Sequence, residues 1–409
     1  VQDEKQSRDR RSFLQKASLL LAAGTVDGIF SSALAKSVVL PFANGERPLV
    51  AYPQKRPLIR QTTRPPQLET PFSVFKEGVL TPNDAFFVRY HLANVPLSID
   101  IESYRLNVSG LVDRPLSLSL TELRTQFKES EIVAVNQCSG NSRGFVEPRV
   151  GGGQLANGAM GNAKWRGIPL KLVLDRAGVK SGARQVTFNG LDAPLLPTTP
   201  DFIKALDIVH ARDGEVLLAY AMNDADLPLL NGYPLRLVVP GYYGTYWVKH
   251  LSDIHVVDQE FQGFFMGKGY RIPDNDCGCV VPGTTAKTTR PIGKMVVRSF
   301  ITSLEPGAAL RVGQVTAVHG IAFDGGSGIR AVDLSLDNGT TWQSAKLGRD
   351  YGRYSFRPWR FDLTLNTKGS HHLLVRASAN DGQVQPMEAT WNPSGYRRNV
   401  IESLPVVAI

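Results

Sequence analysis

Between residues 85 and 257 the apolar positions come in short runs separated by turn residues, and each run predicts one element. Residues 85–91 read as a strand in which Phe87, Arg89 and His91 share a face, an unusual set for a face that only packs core. Further short strands are predicted over residues 104–109, 131–136, 184–189, 215–222, 235–240 and 250–257. A short helix is predicted over 170–178, entered after Pro169 and stopped at Gly178, and a second over 199–206. Strands and helices do not alternate regularly, and no dinucleotide-type glycine fingerprint follows a strand. The class expected is therefore α+β, not doubly wound. Residues 36–75, rich in proline, arginine and glutamine, read as an extended arm with neither helix nor sheet.

The pattern changes at a connector near residues 282–293. Strand candidates after it are 294–301, 309–319, 329–336, 342–346, 358–363, 370–380 and 384–390, with turns at Asp324-Gly325-Gly326, Asp337-Asn338-Gly339 and Asp381-Gly382. Seven short strands in so short a span predict an all-β, immunoglobulin-like sandwich, without the cysteine–tryptophan–cysteine spacing of antibody domains. Such a unit suits scaffolding or dimerisation better than redox chemistry.

The first 35 residues carry Asp9-Arg10-Arg11-Ser12-Phe13-Leu14, a broken apolar stretch, and Ala33-Leu34-Ala35. This reads as a twin-arginine export signal with a small-residue cleavage site, so the expected destination is the periplasm. No second apolar run approaches the length of a membrane-spanning helix. The domains expected are thus a signal (1–35), an arm (36–75), a catalytic domain (76–285) and a β domain (286–409). The formal charge of +9 comes from scattered Lys and Arg without interleaved aromatics, which points away from nucleic acid and toward a small anion or an acidic protein partner.

Three cysteines are present, at 138, 277 and 279. Cys277-Gly278-Cys279 is too tight for an easy disulfide and is assigned no catalysis. No haem-attachment motif or iron–sulfur set exists. Cys138 ends an apolar run and enters the polar turn Ser139-Gly140-Asn141-Ser142-Arg143. Three readings of it stay open: an inert buried thiol, an acyl-transfer nucleophile partnered by one of His91, His210, His250 or His255, and a single soft ligand to a cofactor-held metal. Arg89 and Arg143 are surface ion pairs on the plain reading. On the other reading they are guanidinium forks making an oxyanion pocket beside the thiolate. The Gly241-Tyr242-Tyr243-Gly244 loop and Lys249 read either as a packed aromatic loop or as a phosphate cradle, and Tyr270 sits on a glycine-flanked loop.

Taken together, Phe86-Phe87-Val88-Arg89-Tyr90-His91, Cys138-Ser139-Gly140-Asn141-Ser142-Arg143, Gly158-Ala159-Met160-Gly161-Asn162, Leu217-Leu218-Ala219-Tyr220-Ala221-Met222-Asn223 and Trp391-Asn392-Pro393 resemble the sulfite oxidase family of molybdenum enzymes, from about residue 70 to the C-terminus. The resemblance implies a molybdopterin whose metal takes Cys138 as its protein ligand. It further implies a sulfite pocket of Arg89, Arg143, Tyr270, His91 and one C-terminal arginine, Arg398 in preference to Arg397. Pterin contacts are implied for His91, Asp192, Asn231, Arg236 and Lys249, with Asn231 standing where many relatives have histidine. Leu155 replaces a pocket tryptophan of eukaryotic relatives. The activity implied is sulfite dehydrogenation, with sulfite as substrate, no haem or iron–sulfur cluster in this chain, a separate periplasmic c-type cytochrome as acceptor, and a homodimer. Alternatives of the same fold are a sulfane-sulfur dehydrogenase and, further off, a nitrate or sulfoxide reductase; a scaffold without cofactor is the alternative of another class.

Overall fold

The computed structural model describes residues 36–409; the export-signal expectation falls on residues 1–35 and lies outside them. Strands Ser37–Val39, Glu46–Val50, Leu58–Thr62, Gln67–Glu69 and Val88–Arg89 form one antiparallel sheet in chain order. The expected arm is therefore a sheet. Its prolines fall mostly in the connections, with Pro53 and Pro57 between the second and third strands and Pro65–Pro66 between the third and fourth, where they break strands without costing ladder bonds.

Two further sheets build the middle of the chain. One runs in the order Lys204–Asp207, Gln185–Gly190, Leu251–Val257, Leu106–Gly110, Leu116–Leu118, with the third and fourth parallel. The other runs Ala225–Asp226, Leu217–Met222, Met160–Pro169, Ser130–Gln137, with Arg236–Val238 paired to Leu217–Met222. Leu170–Ala177 is the predicted helix, and Gly178 ends it in the left-handed conformation (φ +71°). The helix expected over 199–206 does not form. Lys204–Asp207 instead pairs with Gln185–Gly190, because an open sheet edge outweighs a helix signal interrupted by Pro200. A helix not anticipated, Leu120–Gln126, is set by a capping box in which Glu122 N donates to Ser119 Oγ and Ser119 N donates to Glu122 Oε2.

Beyond the connector, two sheets share one core. The first orders Arg298–Ile301, Thr316–Phe323, Arg357–Leu363, Lys346–Leu347; the second orders Ala308–Leu310, Glu402–Ala408, Gly369–Ala379, Ile329–Ser335, Gln343–Ser344. Val297, Val318 and Trp359 of one side meet Leu334, Val375 and Val406 of the other. The strand expected over 384–390 reduces to a single bridge of Val384 to Ser378, and Glu402–Ala408 takes its place in the sheet. The molecule is thus richer in strand than expected. The two halves are stitched together: Val135 N donates to Tyr354 O, Asn162 Nδ2 to Ser355 Oγ, and the buried Arg298 to Ser142 Oγ.

Cys277 and Cys279 are bonded, against expectation. Gly278 between them turns left-handed (φ +61°), which brings the two Cα atoms to 5.2 Å, inside the range a disulfide spans.

Candidate functional site

Cys138 follows the last residue of the Ser130–Gln137 strand, where the ladder gives way to a turn held from both sides. Cys138 N donates to Ala159 O (2.9 Å), Asn141 N to Cys138 O (3.0 Å), and Asn141 Oδ1 accepts from Ala159 N (2.9 Å). Ser142 adopts φ +70° and donates its N–H to Ala156 O (2.7 Å). Gly140 permits this: a Cβ there would strike the Arg143 guanidinium. The turn leaves the thiol free of any disulfide and buried at the edge of the central core.

That thiol lines a narrow cleft together with Phe86, Phe87, Arg89, His91 and Tyr270. Only Val88–Arg89 is formally a strand, yet Phe87, Arg89 and His91 all reach this cleft. His91 Nε2 is hydrogen-bonded to Tyr270 Oη, and its ring stacks on Phe202 at 3.8 Å. Tyr270 stacks in turn on Tyr396 at 5.5 Å, and the Arg143 guanidinium lies 5.2 Å from the centroid of the Tyr396 ring. Arg143 itself does not line the cleft. Its Nε donates to Ser394 O and its Nη1 to Gly153 O.

The cleft is also lined by basic groups. Lys249 Nζ donates to Arg89 O (2.7 Å) and lies 4.1 Å over the Tyr90 ring. Burial pushes Lys249 down to about 7, Asp192 opposing the shift and Arg236 and Arg89 adding to it. Arg236 is 3% exposed, donates to Asn231 O (2.8 Å), and is pushed down by burial to about 9. Asp192 is buried beside Lys249 as its counter-charge. His91 is held well below the usual imidazole range by burial, then by Arg89, Lys249 and Lys204, so it is a neutral imidazole near pH 7. Burial raises the Tyr270 phenol above its ordinary range.

Several cleft groups have no hydrogen-bond partner although they are buried: Asn136 Oδ1, Ser139 Oγ, Thr245 Oγ1 and Arg236 Nε. Buried polar atoms are satisfied in nearly all native structures, so these point to a polar ligand. The set comprises one thiol, buried cations and unpaired donors and acceptors. That fits a molybdopterin, with the thiol toward a soft metal and the basic groups toward a phosphate. Gly244 makes room at the wall, since a Cβ there would overlap Asn136 Oδ1. Asn136, Ser139 and Thr245 were not singled out from the sequence. The first two flank Cys138, and Thr245 lies in the glycine–aromatic loop, so adjacency was the available signal.

Some expected residues are elsewhere. Arg398 does not line the cleft: it donates to Glu402 Oε1 (2.9 Å) and lies over the Phe145 ring. Arg397 lies against Gly278 in a neighbouring cavity. Leu155 is buried in the core and does not line the cleft. Asn231 lines the cleft, but its amide is consumed by protein: Oδ1 accepts from Lys55 Nζ and Nδ2 donates to Phe87 O. Its side chain is a strut between the N-terminal sheet and the cleft wall. Lys55 itself, buried and also donating to Asn83 O and Phe86 O, gave no signal in the sequence.

Comparison with known proteins accords with this geometry. Residues 91–265 match the family described as the oxidoreductase molybdopterin binding domain, and residues 289–405 the Mo-co oxidoreductase dimerisation domain. The chain is 35% identical over 369 residues to the sulfite oxidase of Gallus gallus, covering 86% of this chain and 78% of that protein. It is 30% identical over 379 residues to the sulfite oxidase of Arabidopsis thaliana, covering 87% and 95% respectively. Among solved structures, the sulfane dehydrogenase SoxCD from Paracoccus pantotrophus shares the fold with a TM-score of 0.72 at 25% identity, over 94% of this chain and 92% of that one. With a lone buried thiol, a basic cleft and this extent of likeness, the chain belongs to the sulfite oxidase family of molybdopterin oxidoreductases.

Proposed function

We propose that the protein is a periplasmic sulfite dehydrogenase, oxidising sulfite to sulfate and passing electrons to a separate c-type cytochrome. The observation that carries the reading is the placement of Cys138, Arg89, His91 and Tyr270 on one cleft that Lys249 and Arg236 also line. A metal-bearing pterin supplies oxygen-atom transfer and two-electron uptake when bound. Cys138 would be its ligand, and Lys249 and Arg236 would hold its phosphate, with Asp192 balancing Lys249 and Asn231 bracing the wall.

Arg89 binds the substrate anion, because a guanidinium matches an oxyanion in charge and in hydrogen-bond geometry. Tyr270 Oη and the neutral His91 Nε2 share a hydrogen bond, and with Nε2 as its donor the phenol O–H is free to donate to the anion. Arg143 acts from outside the cleft lining, adding positive charge without touching the anion. Replacement of the expected third arginine by the Arg398–Glu402 pair leaves a less cationic substrate pocket.

The C-terminal two-sheet unit is read as an immunoglobulin-like sandwich that associates twofold, in keeping with its dimerisation-domain match. The twin-arginine sequence at Arg10-Arg11 supports export. No helix among the described residues is long and apolar enough to cross a membrane.

Oxidation of a sulfane sulfur is the second reading, favoured by the fold shared with the sulfane dehydrogenase. Steady-state turnover of sulfite with cytochrome c, run beside a carrier-bound cysteine persulfide, decides between them. Turnover of the persulfide alone refutes the sulfite assignment.

A further inference from the structure

Lys204 is fully buried on the Lys204–Asp207 strand, and no carboxylate among the described residues pairs with it. Its ammonium donates to Phe265 O (2.6 Å) and rests against two aromatic rings, 4.5 Å from the centroid of Tyr246 and 5.3 Å from that of Tyr270. A buried cation without an anion is costly, and one hydrogen bond with two π faces offsets little of that cost. Such a group persists where the charge is used.

The surroundings indicate how. Phe265 belongs to the short helix Phe264–Gly267, directly before the loop that delivers Tyr270, and its ring also packs against His91. Lys204 therefore grips the backbone of the Tyr270 loop while lying under the Tyr270 ring. Tyr270 itself stands at φ +57°, a conformation that a non-glycine residue keeps only where its surroundings hold it.

We propose that Lys204, which stands against Tyr270 without lining the cleft, is a positioning and charge-selecting residue: it fixes the Tyr270 phenol against His91 and supplies the positive field that favours a doubly charged anion. The inference rests on the anion-binding reading of this cleft. Burial leaves Lys204 near 7 in the absence of an anion, and a dianion in the cleft favours its protonated form.

The test uses cofactor-loaded enzyme with Lys204→Met and Lys204→Arg, after molybdenum content has been measured. Sulfate and nitrate are titrated separately, followed by tryptophan fluorescence, since Trp247 lines the cleft. Lys204→Met is expected to weaken sulfate about tenfold and nitrate less than about threefold, because losing one charge penalises a dianion more than a monoanion. Lys204→Arg is expected to restore sulfate affinity to within about threefold of wild type, as charge is kept. Equal weakening of both anions shows a merely structural role and overturns the proposal. So do unchanged affinities, an Arg variant as weak as the Met variant, or a wild type that binds no sulfate. Because titration reads binding without turnover, failure to oxidise sulfite would refute the function proposed above and leave this result standing.

Discussion

Glu402 holds two arginines at the seam between the catalytic part and the C-terminal sheets. Its Oε1 accepts from Arg298 Nη2 at 2.7 Å and from Arg398 Nη1 at 2.9 Å. Arg298 is wholly buried and reaches across to Ser142 Oγ at 3.0 Å, so the pair braces the turn that carries Cys138. The two ends of this bridge differ. Removing Glu402 strands a fully buried guanidinium beside a second one, and breaking a buried pair this way costs about 3–5 kcal/mol. Removing Arg298 leaves Glu402 paired to Arg398 and Ser142 Oγ bonded to Asn157 Oδ1, so only about 1–3 kcal/mol is lost.

For the 374 described residues, an unfolding entropy of roughly 2.1 cal/mol/K per residue gives about 0.8 kcal/mol/K. Glu402→Leu should therefore lower Tm by about 4–6 °C, and Arg298→Met by about 1–4 °C. The double variant should be more stable than the sum of the two losses implies, because the stranded charge is gone. Differential scanning calorimetry of the three variants measures this. A Glu402→Leu Tm within 1 °C of wild type, or strictly additive losses, refutes the argument that the buried guanidinium depends on this carboxylate.

Cys138→Ser should purify folded, with molybdenum content and turnover both lost; wild-type turnover would defeat the ligand assignment. Arg89→Met should raise the sulfite KM by about 10–100-fold, the loss of about 1.5–3 kcal/mol from a charged hydrogen bond, while molybdenum content stays near normal. An equal loss of molybdenum would place Arg89 in the cofactor site instead. Burial depresses Lys55, Lys204 and Lys249 to about 7 from 10.5, so above pH 7 the folded chain has released protons that the unfolded chain still binds. Cofactor-free protein should thus gain stability as pH rises from 7 toward 10, by at most about 1.4 kcal/mol per pH unit per lysine, and lose that gain as pH falls back through 7. Lys249→Met should flatten the urea-unfolding profile over that window; an unchanged slope would show that Lys249 is hydrated and ordinary.

Part of the cleft lining was legible because the residues concerned lie in sequence-local clusters. Cys138 with its turn, and the Phe87, Arg89 and His91 set, meet in the cleft as their alternation and turn residues suggested. The short strands were legible for the same reason. What failed were features decided by distant partners. Lys204–Asp207 became a strand because the edge of Gln185–Gly190 lay open to it, and residues 37–69 became a sheet because each turn returned the chain beside itself. Local propensity carries no information about such pairings.

Charge placement shows the limit more sharply. The sequence favoured Arg398 over Arg397 as the pocket residue, yet Glu402 captures Arg398, and Arg397 lies against Gly278. Asn231 was expected to contact the cofactor. Its amide is instead spent on Lys55, a residue 176 positions away, so the wall is braced by a buried cation from the N-terminal sheet. Lys55, Lys204, Arg236 and Lys249 come from four separate segments, and each is depressed by burial with few anions to offset it. Four desolvated basic groups around one cleft are protonated more readily when anions occupy it, so cofactor and substrate charge complete the electrostatics of the cleft as well as its chemistry.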